Sequence, residues 1–490
     1  MGILAKLRER VGIIKFLVNA QKTIWYPILF AILCIISGLN DYTVYLPIMW
    51  TLVGFVLFSV LFTDDNKVFL VPLCMIFFAL GSDAPATAFG DSGGDMLSFM
   101  NPDALDQIIA MGVIAVGALI LRLILDGSLA TAIKCHRLFT ASIIAMDAAF
   151  LLNGILRPDY NTDDLAFGAL VAAVLTAVYF LVCGMLENSS QPIFYGCVAM
   201  LCTAYIALTQ VLAVIYKLHL AGGYLVYDKY GVLRLNRSGI TLGWGISTVI
   251  AAVFVLGIPA ALYLARNHKA SLISFFSCPL FVLGTVLVNA RASMLVSVAI
   301  FAVCAILCMI NGKNKVLIRI YFAVCVCAAA GIVVYLINKY PELIKTLREL
   351  LRISVNMDSG RNELWEDGWA DFMRYPFTGA GFSDGGLAED IACKNIYSNM
   401  YHNIFVEWYG AMGIVGCIAF ALHLVELVIC SLKQFSIDKL LLLALPLTII
   451  ALSIFDNFFF YPHFQIFYAI FLALAEKYCN KTKIILKGAA

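Results

Sequence analysis

Apolar runs long enough to cross a bilayer recur along the whole chain, with short polar turns between them. About 20 apolar residues span the hydrocarbon core of a membrane. The 490 residues are 62% hydrophobic and only 13% charged, whereas a soluble domain has about 45–50% apolar and about 25% charged residues. This composition excludes a soluble globular enzyme and predicts one polytopic membrane domain.

We predict an all-α polytopic membrane protein with about 12–14 transmembrane helices. The predicted spans cover residues 24–39, 42–63, 68–82, 106–125, 138–156, 165–186, 193–216, 240–265, 271–289, 292–311, 320–338, 402–430, 440–455 and 464–476. The predicted regions are a cytoplasmic amphipathic helix at 1–23, transmembrane helices at 24–338 with an external loop at 217–239, a large external loop at 339–401, C-terminal transmembrane helices at 402–476 and a cytoplasmic tail at 477–490.

Basic residues indicate the orientation of these spans. The first 22 residues carry five basic side chains and one acidic one, with apolar residues at helical spacing, as in a helix on a membrane surface. The short loops on the opposite side contain only Arg157 and Arg291, so the positive-inside rule predicts that both termini are cytoplasmic. The net charge of +2 offers no basic excess for a nucleic-acid partner.

The 339–401 loop carries two amphipathic segments. Apolar residues recur at helical spacing in PELIKTLRELLRIS, and Trp365, Trp369 and Phe372 do so in RNELWEDGWADFMRYP, until Pro376 ends the pattern. We predict that both segments form helices on the outer membrane face, with tryptophans anchoring the second.

Three ionisable residues at predicted membrane edges are candidates for chemistry. Arg291, in LVNARASML, is either a snorkelling topology anchor or an anion clamp, because a guanidinium binds phosphate through a fixed fork. Arg361 either pairs with a nearby carboxylate or joins free helix-start amides in an anion site. His402 is either a satisfied interface residue or a base that accepts a proton from a sugar hydroxyl.

The neighbours of these residues suggest further roles. Tyr401 and Glu407 either orient His402, contact substrate or belong to an interfacial belt. Asp456 and His463, in DNFFFYPH, could line the same cavity, although interface anchoring is the favoured interpretation. No Cys/His cluster has the spacing of a metal site, so we predict neither a metal nor another cofactor.

Residues 359–416 resemble the signature of the bacterial O-antigen ligase and polymerase family. The matching positions, in order, are Arg361, Trp365, Phe372, Pro376, Gly379, Gly381, His402, Asn403, Gly413 and Gly416. Upstream, NARASML resembles the arginine turn that the family has between two spans. RLNRSGITLGWGIS partly resembles an earlier Arg…Gly segment of the family, although the Pro-Asn that usually follows is absent.

The resemblance implies a membrane glycosyltransferase with a GT-C-like fold in the bacterial plasma membrane. Its donor would be an undecaprenyl-diphosphate-linked glycan on the external, periplasmic side. In this family arginines bind the diphosphate and a loop histidine is the base, so Arg291 and Arg361 would hold the diphosphate and His402 would be catalytic. For Arg237 the resemblance implies only a candidate contact to phosphate or sugar.

The motifs leave the acceptor open. A polymerase adds repeat units to a growing glycan, whereas a ligase moves finished polymer to a lipid or cell-wall acceptor, and we favour the polymerase. A transporter or lipid flippase is the third alternative, but symmetric broken spans in two repeats are not evident in the sequence. The expected partners are the lipid-linked donor, a saccharide acceptor and the bilayer, with a chain-length regulator or flippase as a candidate protein partner.

Overall fold

The chain forms a bundle of helices in the computed structural model. The structure describes residues 10–40, 42–81, 102–125, 137–158, 160, 162–186, 190–227, 233–236, 239–268, 271–310, 312–339, 361–382 and 400–488. The first twelve helices are α1 (Gly12–Gln21), α2 (Trp25–Gly38), α3 (Tyr42–Phe62), α4 (Leu70–Met75), α5 (Pro102–Leu125), α6 (Thr140–Leu152), α7 (Thr162–Met185), α8 (Ser190–Leu220), α9 (Ser247–Asn267), α10 (Ser271–Leu287), α11 (Arg291–Ile310) and α12 (Lys315–Lys339). The remaining helices are α13 (Arg361–Arg374), α14 (Ile404–Val406), α15 (Gly413–Leu432), α16 (Ile437–Leu452) and α17 (Pro462–Gly488).

Several of these helices are suited to crossing a membrane. Among the residues that the structure describes, seven helices are long and apolar enough to do so: α3, α7, α8, α9, α11, α12 and α15. Shorter apolar helices lie among them, including α6 and α10. The structure therefore confirms an all-α polytopic membrane protein.

Helix α9 lies at the centre of the bundle. Nearly every residue from Ser247 to Arg266 is buried, and α9 packs against α8, α10, α11 and α16. A helix that is apolar on all sides is stable only when protein or lipid surrounds it. Here the neighbouring helices surround α9, and they place the turns at its two ends on opposite faces of the bundle.

The two ends of the bundle are identified by their contacts. At one end, which we call the Arg266 end, Arg266 Nε donates to Asp438 Oδ1 at 2.7 Å, and Asn314 donates to the carbonyl of Ala265. Asp438 lies in the first turn of α16, and Asn314 follows α11. The opposite ends of α11 and α16 therefore lie together at the other end of the bundle, which we call the His402 end.

The 217–239 segment is more ordered than the predicted loop. Helix α8 continues to Leu220, and strands β1 (Leu225–Tyr227) and β2 (Leu233–Leu235) then pair antiparallel, with Val226 opposite Arg234. A second short pair follows, β3 (Thr241–Leu242) with β4 (Gly245–Ile246). The prediction contained no strands because each run is too short for its alternation to be distinguished from a turn.

Two predicted boundaries differ from the structure. The single span at 402–430 is wrong, because α14 and a π-helical turn at 407–411 precede α15, and Gly413 at φ +64° redirects the chain between them. The tail predicted from 477 continues α17 as far as Gly488. Only α1 of the predicted 1–23 helix is described, and the helix predicted within 341–354 lies outside the described residues. The tryptophan helix is confirmed as α13.

Candidate functional site

His402 sits in a left-handed backbone conformation at the start of α14, with φ +54°. The next residue, Asn403, is the N-cap of α14, because its side-chain oxygen accepts the Phe405 N–H at 2.9 Å. Left-handed residues other than glycine are uncommon and are concentrated at functional sites. The left-handed bend at His402 therefore directly precedes the N-cap of α14.

The imidazole of His402 meets a carboxylate from another part of the chain. His402 Nδ1 lies 3.1 Å from Asp456 Oδ1, and the Asn457 side-chain amide lies 3.3 Å from the same nitrogen. The His402 side chain is 31% exposed and that of Asp456 is 14% exposed. The carboxylate is thus largely enclosed, while the ring is reachable from outside.

The charge state of Asp456 follows from its neighbours. Burial would raise the pKa of Asp456, but the hydrogen bond with His402, the charge of His402, the Asn457 N–H and the charge of Arg361 together hold that pKa below its usual value. An ionised Asp456 favours a proton on His402 Nδ1 and leaves Nε2 as the basic nitrogen. This is the arrangement that a general-base histidine requires.

Backbone hydrogen bonds connect the start of α14 to the turn between α16 and α17. The Ile404 N–H donates to the carbonyl of Ser453 at 2.7 Å, just after α16. Ser453 is fully buried, and its hydroxyl accepts the Phe459 N–H at 2.8 Å. The turn between α16 and α17 is therefore fastened to the start of α14, which fixes Asp456 beside His402.

Arg361 is brought to this cluster by α13, of which it is the first residue. Its side chain is half-buried, and its positive charge acts on Asp456. Nearby, the free N–H groups of the first turn of α13 add partial positive charge. Arg361 and His402 therefore both act on the charge of Asp456.

Arg291 lies at the same end of the bundle but is not joined to that cluster. It begins α11 and is exposed, directly after a turn in which Asn289 has φ +54°. Among the described residues, no hydrogen bond or ion pair links Arg291 to His402, Asp456 or Arg361. The anion-clamp role of Arg291 therefore stays a prediction, as does that of a topology anchor.

Arg237 lies outside the described residues. Its neighbour Asn236 is described, and the Asn236 N–H donates to the carbonyl of Tyr224 at 2.8 Å. The hydroxyl of Tyr224 in turn donates to the carbonyl of Leu287, at the end of α10. The segment that precedes Arg237 is thus attached to the turn that carries Arg291.

Tyr401 and Glu407 are buried rather than open to a ligand. The hydroxyl of Tyr401, which is 1% exposed, donates to Asp371 Oδ2 of α13 at 2.6 Å. Glu407 is fully buried and accepts the Tyr401 N–H. These contacts favour the orienting role for both residues over a direct contact to substrate.

The protonation of Glu407 differs from that of Asp456. Burial raises the pKa of Glu407 to about 8, although the N–H groups of Tyr401 and His402 lower it in part. Glu407 lies in the π-helical turn between α14 and α15, five residues after His402. The site thus holds one ionised carboxyl beside the ring of His402 and one carboxyl, protonated near neutral pH, behind its backbone.

The Gly-x-Gly segment is a packing element. Gly379 has φ +70°, and a Cβ there would lie 2.2 Å from the carbonyl carbon of Ala411; Gly381 has φ +90°, and its Cβ would lie 2.6 Å from Asp164 Oδ2. The Ala380 N–H donates to the carbonyl of Gly410 at 2.8 Å. These glycines let the loop after α13 lie directly on the turn before α15.

Two features of the site were not identified as such from sequence. The sequence favours an interface role for Asp456, because nothing local in DNFFFYPH indicates pairing with a histidine 54 positions away. Arg157 lies in a predicted short external loop, yet it is 7% exposed and its Nη1 donates to the carbonyl of Ala380 at 2.7 Å. Nothing in the local sequence around Arg157 indicates this contact.

Part of the chain matches the model of a known protein family. A family model described as O-antigen ligase matches residues 275–421, which are 147 of the 490 residues. The match supports an O-antigen ligase and polymerase type of family assignment for residues 275–421. The matched segment contains Arg291, Arg361, Tyr401, His402 and Glu407, whereas Arg237 and Asp456 lie outside it. No curated protein matches the chain at a significant level.

Proposed function

We propose that this protein transfers a glycan from an undecaprenyl-diphosphate carrier to an acceptor sugar hydroxyl, with inversion at the anomeric carbon. The observation that carries the proposal is the contact between His402 Nδ1 and Asp456 Oδ1 in the segment that bears the family motif. A histidine oriented by a carboxylate is suited to removing a proton from a hydroxyl group. The family match supports an O-antigen ligase or polymerase type of membrane enzyme.

In the proposed step, His402 Nε2 accepts the proton of the acceptor hydroxyl. The acceptor oxygen then forms a bond to the anomeric carbon, while the bond from that carbon to the diphosphate oxygen breaks. Asp456 stabilises the imidazolium that forms. The lipid diphosphate leaves with both electrons of the broken bond, and the proton on His402 passes to solvent.

The leaving diphosphate gains negative charge, and cations aimed at that charge lower the barrier. We assign Arg361 and Arg291 to this role, because both lie at the His402 end of the bundle and both begin a helix. Guanidinium groups stay charged and bind phosphate in a bidentate fork. The proposed reaction uses no metal and no other cofactor, which predicts full activity in the presence of a chelator.

We favour a polysaccharide polymerase of the O-antigen or capsule type as the specific activity. The second candidate is a ligase, and the description of the matching family, O-antigen ligase, favours it. The two activities share the donor chemistry of His402 and the arginines but differ in the acceptor. A transporter or lipid flippase would leave the oriented His402 without a role.

We further propose that the protein lies in the bacterial plasma membrane with the His402 end outside and both termini cytoplasmic. The distribution of basic residues in short loops supports this orientation. In a Cys393→Ser background, an impermeant thiol reagent should label Glu366→Cys on intact cells. It should not label Lys313→Cys at the Arg266 end, and the reverse pattern would contradict the orientation.

Purified protein, an undecaprenyl-diphosphate glycan and a defined acceptor provide the test. Stepwise lengthening of lipid-linked glycan indicates the polymerase, and a single transfer of finished polymer to a lipid or cell-wall acceptor indicates the ligase. Transport of the lipid carrier without glycan transfer would contradict both. The addition of a chain-length regulator or a flippase tests the proposed protein partners.

A further inference from the structure

A long apolar groove lies near the N-terminus of the chain, between α1, α2 and α3. It encloses about 720 Å³. Its lining includes Leu17, Trp25, Leu29, Ile32, Gly54 and Phe58. The apolar part of the lining follows α2 and α3, so the groove runs along helices that are themselves apolar enough to contact lipid.

The groove belongs to the end of the bundle opposite His402. Lys67, just after α3, donates to Gln191 at the start of α8, and the Asn66 side chain donates to the carbonyl of Met185 at the end of α7. The other end of α7 lies at the Gly-x-Gly segment, where Asp164 meets Gly381. The groove is therefore separate from the candidate catalytic site.

The groove has a polar end and an apolar body. Gln21 lines it, is 5% exposed, and donates through Nε2 to Ser59 Oγ at 2.8 Å. Its Oε1 has no hydrogen-bond partner among the described residues. Beside it, Lys22 pairs with Asp64, and both side chains are partly exposed. A buried polar atom without a partner is costly and points to a missing one.

The direction of the groove matches that of a lipid. Helix α1 meets α2 at 83°, so α1 lies along the membrane plane when α2 crosses it. The polar residues Gln21 and Lys22 are at this corner, whereas Leu29 and Ile32 lie deeper along α2. A ligand with a polar head at the corner and a hydrocarbon chain along α2 would match both parts.

Charge indicates which lipid would bind. The first 22 residues hold five basic side chains against one acidic one, and among the described ones Arg10 and Lys15 are exposed. A basic amphipathic helix attracts anionic headgroups and binds a neutral membrane less strongly. We propose that the groove binds one acyl chain of an anionic phospholipid, whose phosphate lies near Lys15 and Lys22 and whose headgroup hydroxyl donates a hydrogen bond to Gln21 Oε1.

Lipid retained on the detergent-purified protein, measured by native mass spectrometry with phosphatidylglycerol or phosphatidylcholine added, tests this site. A Cβ on Gly54 would meet no atom within 4 Å, so Gly54→Leu fits the fold and fills the groove. We expect it to weaken phosphatidylglycerol binding about tenfold or more. The matched control is Gly331→Leu in α12, where a Cβ also meets no atom within 4 Å.

The proposal makes two claims, that the bound lipid is anionic and that the groove is its binding site, and the measurement tests each of them. Preferential binding of phosphatidylglycerol that is lost in Gly54→Leu and kept in Gly331→Leu supports the proposal. Equal binding of the two lipids would overturn the anionic specificity, and equal binding by the two variants would overturn the groove as the site. If Gly54→Leu does not fold, Ile32→Trp provides the same test, because Ile32 is 46% exposed in the groove. Glycan transfer, assayed in parallel, does not depend on this site.

Discussion

Nδ1 of His402 lies 3.1 Å from Oδ1 of Asp456, although the two residues are 54 positions apart. The contact depends on the turn between α16 and α17 being fastened to α14 through the Ile404 N–H and the Ser453 carbonyl. It orients the half-buried imidazole, which supports the proposal that His402 acts as a base.

Replacement of Asp456 tests this contact. Asp456→Asn keeps the size of the side chain but removes the charge that stabilises an imidazolium, so turnover should fall by on the order of 10²-fold or more. The donor KM should change little. Asp438→Asn is the control, because Asp438 binds Arg266 at the other end of the bundle. Equal losses of turnover in the two variants would indicate a general effect on folding.

Replacement of the arginines tests the anion clamp. Hydrogen bonds to charged groups contribute about 1.5–3 kcal/mol. Arg361→Gln and Arg291→Gln should therefore each lower kcat/KM roughly 10- to 150-fold. The lysine variants keep the charge without the fork and should lose less. Arg374→Gln, at the far end of α13 over the ring of Tyr375, should retain activity. Unchanged kcat/KM in both glutamine variants would contradict the proposal that these arginines bind the diphosphate.

The buried carboxyl of Glu407 predicts a pH dependence of stability. Burial raises its pKa from 4.5 to about 8, so the folded state holds this proton more tightly than the unfolded state does. The stabilisation is complete below pH 4.5 and is lost as the pH rises through about 8. Thermal unfolding at pH 5.5 and 8.5 should therefore show a smaller decrease for Glu407→Gln than for wild type. The exposed Glu366→Gln should behave as wild type, and a matching decrease in all three proteins would refute the assignment.

A side chain at Gly381 should disturb the local packing. Alanine there must adopt φ +90° and place its Cβ 2.6 Å from Asp164 Oδ2, so Gly381→Ala should lose roughly 1–3 kcal/mol of stability. The control, Gly331→Ala, meets no atom within 4 Å and should gain about 0.5–1 kcal/mol, because it replaces a helical glycine. Comparable melting temperatures for the two variants would mean that the Gly-x-Gly segment tolerates a side chain.

The sequence predicted features that depend on local pattern. Helix α13 and its end before Pro376 follow from the spacing of Trp365, Trp369 and Phe372, and most spans follow from apolar length. The break before α15 was missed, because Gly413 looks like any helical glycine until the loop around Phe377 packs against it. The contact between Asp456 and His402 could not be predicted for a similar reason, since only tertiary packing brings the end of α16 to α14.

The most direct measurement is glycan transfer by His402 variants of the purified protein. His402→Asn suits the left-handed backbone at φ +54°, because asparagine adopts that conformation readily, and it removes only the base. We expect native stability and donor binding with turnover reduced by about 10²–10⁴-fold, the usual contribution of a general base. Turnover equal to wild type in folded His402→Asn would contradict the account.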